Sequence, residues 1–188
     1  MMNKLLAAAL LACAFTTAQA VPSLAITGQL AGQDNAAYTG TLAIGAGSVN
    51  DPNTLFFVQE QQVGNVQSWV FFADPAVLTR FTATLTFGAP ILAVYTTRTE
   101  LVNSGATYGV DVDHDGVFND YAKNANMALE VNDLVTYTPG GNTLSLDWQV
   151  QAASDMMRVV TAVPEPGSLA LLALGLLAMG LKLGRRRG

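Results

Sequence analysis

Hydrophobic and polar residues alternate in short runs through the middle of the chain. In residues 80–87, Phe81, Ala83, Leu85 and Phe87 fall on one side, with Thr82, Thr84 and Thr86 on the other. In residues 144–150, Leu144, Leu146, Trp148 and Val150 oppose Ser145, Asp147 and Gln149. Period two is the signature of a strand with one dry face. Phe81, Leu85, Phe87, Leu146, Trp148 and Val150 are therefore expected to be buried. Weaker strand patterns occupy 24–30, 38–44, 55–61, 68–72, 91–97, 128–131, 134–138 and 156–162. Turn formers separate them: Asp51-Pro52-Asn53, Asp74-Pro75, Gly88-Ala89-Pro90 and Pro139-Gly140-Gly141-Asn142. About eight to ten short strands of this kind predict an all-β fold, an antiparallel β-sandwich. Helix-forming composition is confined to 121–130, too short to build a core, and no fixed-period repeat is present.

The two ends break this pattern. Residues 1–20 read MMNKLLAAALLACAFTTAQA. Lys4 precedes an apolar stretch, and Ala18 and Ala20 supply the small residues that signal peptidase requires, so 1–20 is expected to be an export signal cleaved after Ala20. Cys13 is the only cysteine, and this cleavage removes it, leaving no disulfide, thiolate nucleophile or cysteine-bound zinc. At the other end Pro164-Glu165-Pro166 precedes an uncharged Leu, Ala and Gly stretch and then Arg185, Arg186 and Arg187. Thirteen uncharged residues run from Leu169 to Leu181, and counting outward from Gly167 to Leu183, with Lys182 able to snorkel, gives 17, the lower limit for a spanning helix. A transmembrane helix with its arginines on the cytoplasmic side is expected. The organisation is thus 1–20 signal peptide, 21–162 body and 163–188 sorting segment.

The C-terminal 26 residues resemble the PEP-CTERM sorting signal of Gram-negative bacteria, with all three elements in order. The resemblance implies recognition by an exosortase, a membrane protease, and processing near Pro164, Glu165 and Pro166. It also implies transient inner-membrane anchoring and delivery to the cell surface or extracellular matrix, in organisms that make exopolysaccharide or biofilm. It implies nothing about the activity of the body.

Composition sharpens the picture of the body. Hydrophobic residues make up 51% of the chain and charged residues only 12%. Five of the nine bases sit in the end segments, so 21–162 holds four bases against thirteen acids. A body this acidic repels a phosphate backbone, which excludes nucleic acid as a partner. Its polar residues are mainly Thr, Gln, Asn and Ser, suited either to plain solubility or to hydrogen bonds with glycans.

One run carries candidate chemistry. Asp111, Asp113 and Asp115 alternate and are followed by Gly116, the start of a calcium loop. The Val117 carbonyl falls at position 7 and Asn119 at position 9. Position 12, where an EF-hand carries a bidentate glutamate, is Ala122, so Asp120 is the candidate to complete the shell. Over about ten residues the run resembles the Asp-x-Asp-x-Asp-Gly loops of dockerins and thrombospondin type 3 repeats. That resemblance implies Ca2+ at one site. An acidic solvated hairpin is the other reading.

Catalytic patterns are scarce. His114 is the only histidine, and no Gly-x-Ser-x-Gly elbow or phosphate-binding loop accompanies it. Glu60, Glu100, Glu130 and Asp147 are candidate glycosidase carboxylates, but no spacing ties a pair together. Trp69 and Trp148 are candidates for sugar stacking, Trp148 fitting the core better. The chain is expected to be a non-catalytic surface or matrix protein of structural or adhesive role. The alternatives are an exopolysaccharide-binding module and a secreted hydrolase.

Overall fold

A computed structural model describes residues 23–40, 49–110, 128–151 and 154–163. In chain order the elements are β1 (Leu24–Thr27), β2 (Asp34–Ala37), β3 (Thr54–Val63), β4 (Val66–Ala73), β5 (Thr79–Phe87) and β6 (Ile91–Tyr95). The single described helix, α1 (Arg98–Tyr108), follows, and then β7 (Leu134–Tyr137), β8 (Thr143–Val150) and β9 (Asp155–Ala162). They form two open sheets, ordered β1-β5-β8-β7 and β2-β3-β4-β9-β6.

The alternating segments behave as their pattern requires. Phe81 lies opposite Trp148, Ala83 opposite Leu146 and Leu85 opposite Leu144 in the β5–β8 pair. All six residues expected in the core are at most 3% exposed. They meet Leu55, Trp69, Phe71, Met157 and Val159 of the other sheet in one apolar cluster. Phe71 and Phe87 make an edge-on ring contact at 6.1 Å. Thr82 and Thr84 are half-buried and Thr86 is exposed, so the assignment of faces is correct.

The central strands of the five-stranded sheet are different. Nearly every residue of β4 and β9 is buried, on both faces. Val70, Phe72 and Met156 form a second cluster with Leu101 of α1, and Tyr38, Phe56, Val58 and Tyr95 pack against it. Here the outer face of a sheet is apolar and has to be covered, and α1 covers it. The expectation of an all-β antiparallel sandwich is therefore corrected. Over the described residues the fold is mixed α/β, with one short helix and two open sheets, and β2 pairs with β3 in parallel.

The strand expected over 91–97 ends at Tyr95, and α1 follows at Arg98. Thr97 is the N-cap, with φ −91° and ψ 151°, and its side chain accepts from the Glu100 backbone N–H. The Glu100 carboxylate accepts in return from the backbone N–H groups of Thr96 (3.1 Å) and Thr97 (3.0 Å). This reciprocal capping box satisfies donors that a helix start otherwise leaves open. Residues 128–131, expected as a strand, are not one, and the turn Glu130–Asp133 follows, closed by Asp133 N–H to Glu130 C=O at 3.1 Å.

The transmembrane expectation is corrected as well. Among the described residues no helix is long and apolar enough to cross a membrane, α1 being 11 residues long. Inner-membrane anchoring through a helix is accordingly not carried forward. The segment 167–183 on which it was placed lies outside the described residues.

Candidate functional site

A charged network lies beneath α1. Glu60 sits at a register shift between Gln59 and Gln62, where the β3–β4 ladder is interrupted and Gln67 Nε2 donates to the Glu60 carbonyl at 2.8 Å. Such a bulge re-aims a side chain. The Glu60 carboxylate accepts from Arg158 Nε at 2.7 Å and Nη2 at 2.9 Å, and from the Ser68 hydroxyl. Arg158 Nη1 donates onward to the Leu101 carbonyl at 2.8 Å and to Ser104 Oγ. Both charged residues are almost wholly buried. Burial pushes the Glu60 carboxyl above its ordinary value, against the opposing pull of Arg158 and Ser68. The bidentate pair therefore holds α1 to the sheet and leaves no open face for a substrate.

The other candidate carboxylates are dispersed. Glu100 is consumed by the helix cap, and its hydrogen bond from the Thr97 backbone holds its carboxyl below the usual range. Asp147 takes Arg80 Nε at 2.7 Å and Nη2 at 2.6 Å on the exposed face of β8 and β5. That pair lowers the Asp147 carboxyl. The two tryptophans are both core residues, Trp69 3% and Trp148 0% exposed, so neither is available to stack on a sugar.

Glu130 alone reaches an open site. β6 and β7 are the terminal strands of their respective sheets. The connection after residue 127 is tied to the residue that follows β6 by Leu129 N–H to Thr96 C=O at 3.1 Å. The β7–β8 turn is tied to it by Gly140 N–H to Ile91 C=O at 3.0 Å. Along the same strands runs a groove of about 320 Å³, lined by Val94, Thr96, Thr97, Leu129, Glu130, Asp133, Leu134, Val135 and Tyr137. Asp133 holds the turn in shape. Its Oδ1 accepts from Gln149 N–H at 2.8 Å, and its Oδ2 from Glu130 N–H at 2.6 Å.

A further buried carboxylate lies outside the lining of this groove. Asp155, the first residue of β9, is 4% exposed, and its Oδ2 has no hydrogen-bond partner. Burial, reinforced by the charges of Asp133 and Glu130, pushes its carboxyl from 3.8 up to about 8. It follows Ser154, whose φ of 48° is unusual for a residue with a side chain and whose buried hydroxyl is also unpartnered. Sequence reasoning missed Asp133, Asp155 and Arg158. The available signal was one charge in each of two otherwise uncharged runs, Val-Gln-Glu60-Gln-Gln-Val and Met-Met-Arg158-Val-Val.

The calcium candidates Asp111, Asp113, Asp115, Val117, Asn119 and Asp120 lie outside the described residues. So do His114, Ala18, Ala20, Pro164, Glu165, Pro166 and Arg185 to Arg187. Among the described residues no group of three His, Cys, Asp or Glu side chains is placed to hold a metal ion. No curated protein matches the chain, and no solved structure does. Residues 162–187 match the family model of the PEP-CTERM protein-sorting motif. The chain thus carries a PEP-CTERM sorting motif at its C-terminal region, which links it at the family level to recognition by an exosortase.

Proposed function

We propose that this is an exported, exosortase-processed protein of the cell surface or extracellular matrix, with a structural rather than catalytic role. The observation that carries the reading is the sorting motif at 162–187 on a chain that opens with Lys4, an apolar stretch and Ala18-Gln19-Ala20. The fate of the body's carboxylates supports the non-catalytic part. Glu60, Glu100 and Asp147 are each engaged in holding the fold. The test is fractionation of cells expressing the chain with Pro164, Glu165 and Pro166 replaced by alanines. The reading expects the unchanged protein at the surface and the variant retained. Equal surface delivery of both contradicts it.

The acidic run supports a second element of the same reading. Ca2+ is bound by Asp111, Asp113 and Asp115, with the Val117 carbonyl and Asn119 or Asp120 completing the shell. The spacing of the run is its support, and Ala122 at position 12 points to weak affinity. Isothermal titration in millimolar Ca2+, with Mg2+ as control, expects uptake of one ion. No uptake returns the aspartates to a solvated turn.

A further inference from the structure

We propose that one pole of the body is the surface that contacts the processing enzyme: the β3–β4 turn at Gly64 and Asn65 together with the β5–β6 turn at Gly88 to Pro90. The inference rests on the exosortase reading above and adds where on the body that enzyme makes contact. The motif match begins at residue 162, and Ala162 is also the last residue of β9. The sheet thus runs directly into the motif.

The end of β9 is not a segment that can be lifted away. It lies between β4 and β6, and Ala162 stands opposite Val66 while its N–H donates to the Pro90 carbonyl at 2.9 Å. Thr161 is fully buried, opposite both Gln67 and Ile91, and its hydroxyl accepts from Trp69 Nε1 at 3.4 Å. A central, buried strand opens only with the fold as a whole, so the enzyme meets an intact sheet. Pro164 is two residues beyond Ala162, at most about 7 Å along the chain. An enzyme closing on Pro164-Glu165-Pro166 is therefore brought against the turns that flank Ala162.

These turns suit a close approach. Asn65, Gly88 and Pro90 are exposed, and neither turn carries a charged side chain. The other processed end of the body closes on the same place. Gly88 N–H donates at 2.8 Å to the carbonyl of Ser23, three residues past the expected export cut after Ala20. Both ends of the body thus leave from one pole. Val77 and Leu78, also exposed, precede β5 and so lie at its opposite end.

The test is a pulse-chase of tail loss, for the full chain and its variants, in cells that make the exosortase. Asn65→Arg and Pro90→Arg each place a long charged side chain on the contact. Each should slow tail loss about fivefold, the effect of about 1 kcal/mol on a rate barrier. Val77→Arg, at the far pole, should leave the rate unchanged. An insert of about eight Gly and Ser residues after Val163 lengthens the reach by up to about 26 Å and should restore the rate of both slowed variants. Equal rates in all chains without the insert, equal slowing by Val77→Arg, or slowing that persists with the insert would each overturn the contact surface and leave the exosortase reading intact. A tail retained by the unchanged chain would overturn that reading and the inference with it.

Discussion

At the scale of single residues, two buried charges behave in opposite ways. Arg158 and Glu60 satisfy each other, so removing one strands the other. Arg158→Ala is expected to cost about 3–5 kcal/mol, while replacing the pair together with Met at 158 and Leu at 60 should recover most of that loss. Denaturant midpoints of the two variants check this, and a double variant as weak as the single one would contradict the pairing argument. Asp155 has no such partner, and the consequence is a pH dependence. Between about pH 4 and 8 the folded chain keeps a proton on Asp155 that the unfolded chain has released. Stability from this group is therefore fully present below the lower value and falls as pH rises, by at most about 1.4 kcal/mol per pH unit, until it levels off near the upper one. Asp155→Asn, neutral at every pH, should flatten the fall and raise the denaturation midpoint at pH 8. An unchanged profile in the variant would show that Asp155 ionises freely.

At the scale of elements, the helix is the instructive case. Thr97 and Glu100 close a capping box, and Thr97→Ala is expected to cost about 1 kcal/mol, a fall of a few degrees in the thermal midpoint. A midpoint that does not move would mean that α1 is held by Arg158 and Leu101 alone. The box was readable in the sequence as Thr-x-x-Glu, yet the residues after it, Leu-Val-Asn-Ser-Gly-Ala-Thr-Tyr, show little amphipathic rhythm to announce a helix. Legibility followed burial. β5 and β8 bury one face and could be read residue by residue, whereas β4 and β9 bury two and lose the alternation on which period two depends. β2, Asp-Asn-Ala-Ala, has almost no strand propensity of its own and exists through its pairing with β3. The groove escaped sequence reasoning for a related reason. Glu130 and Asp133 sit three positions apart in a turn, but Val94, Thr96 and Thr97 join them from a strand of the other sheet and the residues that follow it.

At the scale of the whole molecule, the chemistry is divided along the chain. Most bases belong to the end segments, and the body between them is acidic. A body with this field attracts cations, which suits the proposed Ca2+ loop. Ca2+ should raise the thermal midpoint of the folded chain, since the unfolded chain lacks the site. Asp113→Ala should abolish most of that rise and His114→Ala should leave it nearly intact. A rise of equal size with Mg2+ would mark it as charge screening instead.

The central claim is that the C-terminal motif directs processing of an exported chain, and the intact mass of protein recovered from the cell surface tests it most directly. The account predicts a chain that begins at Val21 and ends close to Pro164-Glu165-Pro166, with the same protein unprocessed in cells lacking the exosortase. A surface-recovered chain still carrying residues 169–188 would contradict it.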